Sequence, residues 1–572
     1  MSPRPELGPK VAQSNEGRGQ PEKFRLPTSD FRLRLMFMQS NGGLTDAALF
    51  QGKDSILSGP AGGIVGAVQT SLRAGFEKII GFDMGGTSTD VSHYSGEYER
   101  TFETEVAGVR LRAPMMAIHT VAAGGGSILS FDGNRYRVGP DSAGAYPGPA
   151  CYRNGGPLAV TDCNVMLGKL QPDFFPQVFG PEGDQPLDAK GVKIQFAELT
   201  DRIHQATDDR RSPEQVAAGF LAIAVEKMAN AIKKISVQRG YDVSEYTLCC
   251  FGGAGGQHAC LIAESLGMKE IFIHPYAGVL SAYGMGLADV RSLRERSLEV
   301  PLTPDTLPEL ETALSELAAA GLEELAQQGI RAKETVAPPY VTSETGNVTP
   351  PSEAPPENVQ VLPRVHLKYE GTDATLIIAW GALAEMTAAF ADLHQQRYGF
   401  VQPNKRLLVD TVSVEVIGQT ETPAEPQLAH QRQEPLTARA TVPLYARDRW
   451  HDIPLYHRDD LCPGDEIAGP ALIIEATGTN VIEPNWQAAF TPLGAIILTH
   501  SPTPAASLPS PPAVQTRFIA SPTPPIPPPT PDPVLLESFN YLFRAIAEEM
   551  CVTLQKTCTS FNINERLDFS FA

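Results

Sequence analysis

The segment that most constrains this chain is residues 81–91, which read GFDMGGTSTDV. The apolar pair Ile79 and Ile80 leads into it and predicts a buried strand that ends in an acidic residue, two glycines and a hydroxyl cluster. Glycines let a backbone close around an anion, and successive N–H groups in such a turn form an anion-binding nest. The segment therefore favours a nucleotide phosphate site, although a β-hairpin with a Gly-Gly turn explains the same residues equally well.

Each residue type in the segment has a role in the phosphate interpretation. Asp83 and Asp90 can hold Mg²⁺, which usually takes one or two carboxylates together with substrate phosphate. Hydroxyl side chains donate hydrogen bonds to phosphate oxygens, and glycine backbone can approach those oxygens closely. The candidate phosphate-binding residues are therefore Gly85, Gly86, Thr87, Ser88 and Thr89.

Length and charge exclude several classes of function. A chain of 572 residues is too long for one core and predicts roughly three to four domains. With 46 basic and 66 acidic residues the formal charge is −20, which argues against a nucleic-acid partner. We also expect no membrane span and no signal peptide, because no sufficiently long apolar run occurs. The eight scattered cysteines contain no C-x-x-C pair, so we expect reduced thiols and a cytoplasmic protein.

A second glycine turn occurs much later in the chain. A helix is predicted from Ser212, with Pro213 at its first position and Gln215 completing a capping box. A buried strand at 247–251 follows and leads directly into the glycine-rich segment 252–256 and another helix. Strand, glycine turn and helix in that order are typical of a site where a nucleotide lies close to the backbone.

Composition divides the rest of the chain into segments. The thirteen prolines between 502 and 533 indicate an extended linker, and the polar start of the chain predicts disorder. The predicted fold class is α/β, with an α/β lobe followed by a smaller α+β module and a small all-β unit. The predicted boundaries are a disordered N-terminus at 1–28, the α/β lobe at 31–300, a helix and Pro-rich insert at 301–362, the α+β and β domain at 363–500, the linker at 501–533 and a further segment at 534–572.

Six motifs in one order carry a resemblance to a known family. They are MQSNGG at 38–43, SGPAGG at 58–63, FDMGGTSTDV at 82–91, GGGS at 124–127, GPACY at 148–152 and FGGAGG at 251–256. Together they closely resemble the hydantoinase A / 5-oxoprolinase family over roughly 31–500. Residues 533–572 resemble the opening of the hydantoinase B part, which follows in the same chain in fused 5-oxoprolinases.

The resemblance implies an ATPase lobe of the actin and hexokinase type that binds ATP and Mg²⁺. Residues 81–91 then correspond to the second-lobe phosphate loop, and Gly252, Gly253, Gly255 and Gly256 to the adenosine loop. The first-lobe phosphate loop of the family, expected upstream of Met38, is not found in the sequence, and neither is most of the hydantoinase B part. We therefore expect this chain to be a slice of a larger enzyme. Its expected partners are those missing segments, within a homo- or hetero-oligomer.

The reaction implied by the resemblance is ATP-dependent opening of a cyclic amide, namely 5-oxo-L-proline to L-glutamate. An unactivated lactam is a poor electrophile, and phosphorylating its amide oxygen makes it a good one. The Gln257-His258 pair and the fusion to a hydantoinase B part favour this activity. Two alternatives stay open: an N-substituted hydantoinase or ATP-dependent ketone carboxylase subunit, and an inactive fragment of a split gene.

Four residues are candidates for catalysis, although a histidine beside a glycine turn is more often a structural hydrogen-bonding group. They are Asp83, His119, Asp141 and His258. We further expect the loops at 83–90 and 252–256 to face one cleft, because open α/β sheets bind ligands at the carboxyl ends of their strands. Without the opposing lobe, we expect the chain alone to catalyse little or no coupled hydrolysis.

Overall fold

The structure is a computed structural model that describes most of the middle of the chain. The described residues are 34–106, 109–330, 358–372, 374–420, 424–428, 432, 434–501, 532–537, 539, 542–543, 546–547 and 550. The predicted disordered start at 1–28 lies outside this set. So do most of the Pro-rich insert, nearly all of the predicted linker and the last part of the 534–572 segment.

The described strands fall into five sheets. In chain order they are β1 (Met36–Met38), β2 (Leu44–Asp46), β3 (Lys78–Met84), β4 (Thr89–Ser95), β5 (Arg100–Val106), β6 (Val109–Met116), β7 (His119–Val121), β8 (Ser127–Phe131), β9 (Tyr136–Ser142), β10 (Thr247–Phe251), β11 (Glu270–Ile273), β12 (Val290–Pro301), β13 (Val359–Tyr369), β14 (Leu376–Ala379), β15 (Leu407–Gly418), β16 (Ala440–Ala446), β17 (Arg449–His457), β18 (Glu466–Ala468), β19 (Ala471–Glu475), β20 (Gly478–Ile482), β21 (Trp486–Phe490) and β22 (Ile496–His500).

The α-helices lie mainly in the first part of the chain. They are α1 (Ser58–Arg73), α2 (Val160–Met166), α3 (Ala189–Ala206), α4 (Pro213–Ile235), α5 (Ala259–Leu266), α6 (Leu280–Gly286), α7 (Leu307–Gln327) and α8 (Leu383–Tyr398). The mixture of helices and sheets confirms an α/β protein in the broad sense.

An eight-stranded sheet forms the centre of the molecule, in the order β18-β21-β22-β11-β10-β3-β4-β7. Its middle strands β3, β10 and β11 are parallel to one another, and β4 returns antiparallel beside β3. Helix α1 packs on one face together with α6, and α4 packs on the other face. All five residues of β10 are buried, as expected for a strand covered on both sides.

Helix α4 confirms the helix that the capping signals predict. The Ser212 Oγ accepts the Gln215 N–H at 3.3 Å, and the Gln215 side chain accepts the Ser212 N–H at 3.0 Å. The span Pro213–Arg239 is long and apolar enough to cross a membrane by composition. However, 61% of its most apolar window is buried inside the fold, so its apolar surface is used in the protein core.

A six-stranded sheet of order β1-β2-β12-β15-β13-β14 packs with α7 and α8. Its composition differs from the predicted boundaries, because β1 and β2 come from before the central motif and β12 from within the 31–300 segment. Strand β12 pairs with β15 over the whole length of both strands, and the earlier strands β1 and β2 continue the sheet on the other side of β12. Strands from both sides of the predicted insert at 301–362 are therefore paired in one sheet.

The predicted all-β unit is also shared between two sheets. Strands β16, β17, β19 and β20 form a separate four-stranded sheet with its own small apolar core. Strands β18, β21 and β22 instead extend the central sheet, since β22 pairs antiparallel with β11. The end of the predicted 363–500 domain thus completes the sheet that carries the first glycine motif.

A buried ion cluster joins the six-stranded sheet to the two-stranded β5–β6 hairpin. Glu415 on β15 is 2% exposed and accepts two hydrogen bonds from Arg100 on β5, at 2.7 and 2.9 Å. Arg291 on β12 donates a third at 2.8 Å. Burial alone would raise the pKa of Glu415, but the nearby guanidinium groups outweigh it and lower the pKa to about 2.

We expect Glu415→Gln to lower the free energy of unfolding by about 3 kcal/mol at pH 7, because it leaves buried guanidinium charge without its partner. A depressed folded pKa gives stability that is present above the unfolded pKa, near the ordinary 4.5, and is lost as pH falls toward 2. In denaturant titrations, the difference in unfolding free energy between wild type and variant should therefore shrink as the pH falls from about 4.5 toward 2.

The exposed pair Arg296–Glu316 supplies the control. Glu316→Gln should change the unfolding free energy by less than about 1 kcal/mol, as is usual for surface ion pairs. Equal effects of the two substitutions would show that the buried cluster contributes no more than a surface contact.

Candidate active site

The acidic pair lies at the end of β3, where the glycine motif begins. Asp83 on β3 and Asp90 on β4 are directly opposite each other in the antiparallel ladder, so their Cβ atoms are roughly 5 Å apart. The intervening loop is closed by a hydrogen bond from Gly85 N to Ser88 O at 3.2 Å. The hairpin interpretation is therefore correct locally, and the hairpin itself presents the two carboxylates on one face of the sheet.

Electrostatics distinguish the two carboxylates. Burial, and secondly the negative charge of Asp90, raise the pKa of Asp83 to about 6. Asp90 is held from the next strand, because the Thr120 hydroxyl on β7 donates to its Oδ1 at 2.7 Å. Thr120 is in register with Asp90, so the three side chains form one row across three strands.

The second glycine turn lies beside this row. Strand β10 is parallel to β3, with Phe251 in register with Asp83, so both turns leave the same edge of the sheet. Ala254 N donates to Met84 O at 3.0 Å. Gly252 has φ +81°, and a Cβ there would lie 2.4 Å from the Asp83 Oδ1. The structure thus confirms that the two loops, far apart in sequence, meet at the carboxyl ends of adjacent strands.

A third glycine segment supports the first loop from behind. Gly125 N donates to Gly85 O at 3.1 Å, and Gly126 N donates to Gly86 O at 2.5 Å. A Cβ on Gly124 would lie 2.8 Å from Thr87 N. In contrast, a Cβ on Gly85 or Gly86 would meet nothing within 4 Å. The 85–88 loop is therefore packed on one side and open on the other.

The N-terminus of α1 approaches the acidic pair. Pro60 and Ile64, in its first two turns, border a small cavity of about 10 Å³ together with Asp83 and Asp90. The N-terminal end of a helix carries partial positive charge and unpaired N–H groups, which favour an anion nearby. Carboxylates, loop backbone and helix end together form a site suited to a cation and a polyanion.

The hydroxyl residues of the motif differ in their availability. Thr87 is exposed and Ser88 is half-buried, so both can face a ligand. Thr89 is fully buried, and its hydroxyl donates to Ala123 O at 2.5 Å. The single hydroxyl proton of Thr89 is therefore engaged in holding the 122–124 segment.

The structure does not bring His119 to the acidic pair. His119 is in register with Val91, which is in register with Phe82. Successive strand residues point to opposite faces, so His119 lies on the α4 side whereas Thr120 and both carboxylates lie on the α1 side. Asp141 is exposed on β9, next to Ser142, whose Oγ would be 2.9 Å from a Cβ on Gly126. Asp141 therefore belongs to the rim of the third glycine segment.

His258 lies in a buried polar cluster away from the acidic pair. It is 0% exposed, and its Nε2 lies 3.2 Å from Asn164 Nδ2. Burial, and secondly the charge of Lys169, lower the pKa of His258 to about 3. Lys169 in turn pairs with Glu483, which follows β20. His258 is thus a neutral group inside the interface between the central sheet and the later β strands, which is the structural role that a lone histidine more often has.

The 252–256 turn is covered by protein atoms. A Cβ on Gly255 would lie 2.8 Å from Cys250 Sγ, and one on Gly256 would lie 2.1 Å from Asn480 Oδ1. A Cβ on Gly253 would lie 3.4 Å from Thr477 O, in the β19–β20 turn. The cavity that remains there measures about 10 Å³. Close packing accounts for Gly255 and Gly256, whereas a Cβ at Gly253 would make an ordinary contact.

The residues fit a magnesium–nucleotide group at the acidic pair. No cluster of three or more His, Cys, Asp or Glu side chains suited to a metal occurs among the residues that the structure describes. Two carboxylates beside an open glycine loop instead match Mg²⁺, which takes its remaining ligands from phosphate and water. Thr120 was not predicted as a site residue, because 29 residues separate it from Asp90, its partner on β4.

Comparison with known proteins places this chain in a family. The family model described as hydantoinase/oxoprolinase matches residues 20–294, its C-terminal domain matches 355–494, and hydantoinase B/oxoprolinase matches 532–572. The chain belongs to the hydantoinase/oxoprolinase family. It is 40% identical to 5-oxoprolinase 1 of Arabidopsis thaliana over 95% of its own length, but it spans only 40% of that relative.

Two solved structures resemble the fold. The ATP-dependent caprolactamase from Pseudomonas jessenii superposes with a TM-score of 0.69 at 26% identity, covering 81% of this chain and 65% of that one. A nucleotide-free acetone carboxylase, which carries out ATP-dependent acetone carboxylation, superposes with a TM-score of 0.58 at 25% identity, covering 82% and 64%. Both of these neighbours are therefore ATP-dependent enzymes.

We expect Asp83→Asn to stabilise the folded chain at pH 7.5. A carboxyl whose folded pKa is raised to about 6 destabilises the fold when ionised, by about 1–3 kcal/mol for such a shift. The variant should therefore have a higher Tm than wild type above pH 6, and the difference should vanish below about pH 4, where both states are protonated. Mg²⁺ should raise the Tm of wild type only.

Asp132 provides the opposite case, because hydrogen bonds from the 134–135 backbone and from Arg137 lower its pKa in spite of some burial. Asp132→Asn should not raise the Tm at any pH. If Asp83→Asn behaves in the same way, the ionised Asp83 is not destabilising.

We expect Thr120→Val to weaken Mg²⁺ binding about fivefold, because a hydrogen bond that orients Asp90 is worth about 1 kcal/mol. Thr120→Ser retains the hydroxyl and should bind Mg²⁺ like wild type. Isothermal titration calorimetry measures both affinities, and equal affinities for valine and serine would show that Thr120 does not position Asp90.

Proposed function

We propose that this chain contributes the nucleotide-binding part of an enzyme that opens a cyclic amide at the expense of ATP, with 5-oxo-L-proline converted to L-glutamate. The observation that carries the proposal is the Asp83–Asp90 pair at the strand edge shared with Gly252. The names of the Arabidopsis 5-oxoprolinase and of the Pseudomonas caprolactamase, both of which concern cyclic amides, support the choice of substrate class.

In this proposal Asp83 and Asp90 hold Mg²⁺, and Thr120 keeps Asp90 in place. The open backbone of Gly85 and Gly86, with the hydroxyls of Thr87 and Ser88, binds phosphate oxygens. Bound Mg·ATP supplies the phosphoryl group that makes a lactam carbonyl electrophilic. Such transfer depends on positioning and charge neutralisation, which the rigid packing of three glycine segments provides.

The central sheet with its parallel strands is the part of the chain that we assign to the ATPase lobe of the actin and hexokinase type. Its ligand edge agrees with the rule for open α/β sheets. Without Mg²⁺ the pKa of Asp83 is raised to about 6, so its carboxyl group can exchange a proton near neutral pH, and binding of Mg²⁺ would favour its ionised form. Asp141 stays a candidate acid or base at the rim, whereas His119 points to the opposite face of the sheet and His258 is enclosed in a buried polar cluster, so we assign neither to the acidic pair.

A second candidate activity is ATP-dependent carboxylation of a ketone, favoured by the structural similarity to acetone carboxylase. Transfer of the γ-phosphoryl group of ATP to a substrate oxygen, with ADP as the leaving group, would serve either reaction at the same acidic pair. Because the chain spans 40% of the Arabidopsis relative, the complete activity is proposed for an assembly that includes the regions of the relative outside this match.

The test is a coupled assay of phosphate and glutamate release with Mg²⁺, ATP and 5-oxo-L-proline. We expect little or no turnover by the 572-residue chain alone, and turnover when polypeptides covering the unmatched regions of a 5-oxoprolinase relative are added. Asp83→Ala in the reconstituted mixture should abolish phosphate release, because the metal and phosphate site is lost.

Asp132→Ala is the matched control, and it should leave turnover unchanged, because Asp132 lies on the exposed β8–β9 turn. Substituting acetone and bicarbonate for 5-oxo-L-proline separates the two candidate activities. Phosphate release that depends on the ketone but not on the lactam would overturn the lactamase proposal.

A further inference from the structure

A large cavity lies at the carboxyl end of β11, farther along the same sheet edge. It measures about 630 Å³ and is bounded by the 274–276 loop, helix α6, the 424–428 segment and the turns at 458–461 and 490–494. Because β3, β10 and β11 are adjacent, the carboxyl end of β11 is two strand spacings, or roughly 10 Å, from the carboxyl end of β3.

Glu425 is a fixed acceptor in this cavity. Its Oε1 accepts hydrogen bonds from Arg73 at 2.9 Å and from the Tyr283 hydroxyl at 3.0 Å. His274 Nε2 lies 3.6 Å from the same oxygen. Among the described residues no hydrogen bond reaches the Oε2 of Glu425. One oxygen therefore anchors the carboxylate, and the other is available to a ligand.

The tautomer of His274 is determined by its neighbours. The Tyr276 backbone N–H donates to the His274 Nδ1 at 3.2 Å, so the ring proton is on Nε2. Burial lowers the pKa of His274 to about 4, despite the opposing effect of Glu425. A neutral imidazole thus points its N–H toward Glu425, and the positive partner of that carboxylate is Arg73.

Aromatic rings form the wall beside this acceptor. His274 stacks on Tyr283 with centroids 5.1 Å apart and planes at 24°. Tyr276 lies 5.1 Å from Tyr283 but remains 50% exposed. On the far side, Phe490 carries the Arg458 guanidinium 5.9 Å above its ring. A half-exposed tyrosine at the edge of an aromatic cluster offers a stacking surface for a planar ligand.

We propose that this cavity binds a planar nitrogen heterocycle, which stacks on Tyr276 and donates an N–H hydrogen bond to Glu425. This assignment rests on the proposed function. Two ligands of the proposed reaction contain a ring with an N–H donor: the cyclic amide has its ring N–H, and the nucleotide has the amino group of its base. The packed 252–256 turn leaves about 10 Å³, so a ring at this edge finds more room at β11.

The experiment measures binding of two radiolabelled probes to the full chain by equilibrium dialysis. The probes are 5-oxo-L-proline and adenosine, which lacks phosphate and therefore does not depend on the acidic pair. We expect Tyr276→Ala and Glu425→Gln each to weaken binding of one probe by about tenfold, since loss of stacking or of a charged acceptor has effects of this size. The probe affected identifies the source of the ring.

The controls separate this proposal from folding defects and from the proposed function. Tyr146→Ala removes a tyrosine that is 82% exposed elsewhere and should change neither affinity. Tyr276→Phe keeps the ring and should bind like wild type. Asp83→Ala should abolish ATP cleavage in the reconstituted enzyme while leaving probe binding intact. If wild type binds neither probe, or if Tyr276→Ala binds both as well as wild type, the proposal is overturned.

Discussion

The parallel pairing of β3 with β10 is the contact on which the candidate site depends. It sets Asp83 beside Phe251, so the residue that follows each strand emerges at one edge. Only a glycine fits at position 252, because its φ is +81° and a Cβ would meet Asp83 Oδ1 at 2.4 Å. Asp83, the metal-binding candidate, thus packs against the second glycine turn so closely that a side chain at position 252 would clash with it.

Pairing of further strands in the same sheet brings other distant segments close to this site. Thr120 reaches Asp90 because β7 adds to the β4 side of the sheet, and β22 adds to the β11 side although it lies more than 200 residues later. The buried Arg100–Glu415–Arg291 cluster then ties the second large sheet to the hairpin that precedes β7. The acidic pair is therefore contacted directly by β7, whereas β22 and the ion cluster support the sheet away from the pair.

Local signals in the sequence predicted the local structure well. The capping box at Ser212 and the apolar strand before Gly252 are both confirmed, as is the meeting of the two glycine loops at the ends of parallel strands. The domain boundaries were harder to predict, because they depend on which distant strands pair. Nothing in the sequences of β1, β2 and β22 indicates the sheet that each strand joins. The histidines show the same difficulty: the one-residue step between His119 and Thr120 decides which face each occupies.

Glycines at this edge serve two different purposes, which sequence alone does not separate. Gly85 and Gly86 have open space where a Cβ would be, which suits a loop that faces a ligand. Gly255 and Gly256 have protein atoms at 2.8 and 2.1 Å, which requires glycine for packing against Cys250 and Asn480. Because the β19–β20 turn closes the space over β10, ligands at this edge have access beside β3 and beside β11 but little between them. Contacts made more than two hundred residues after the glycine turn therefore decide where along the sheet edge a ligand can lie.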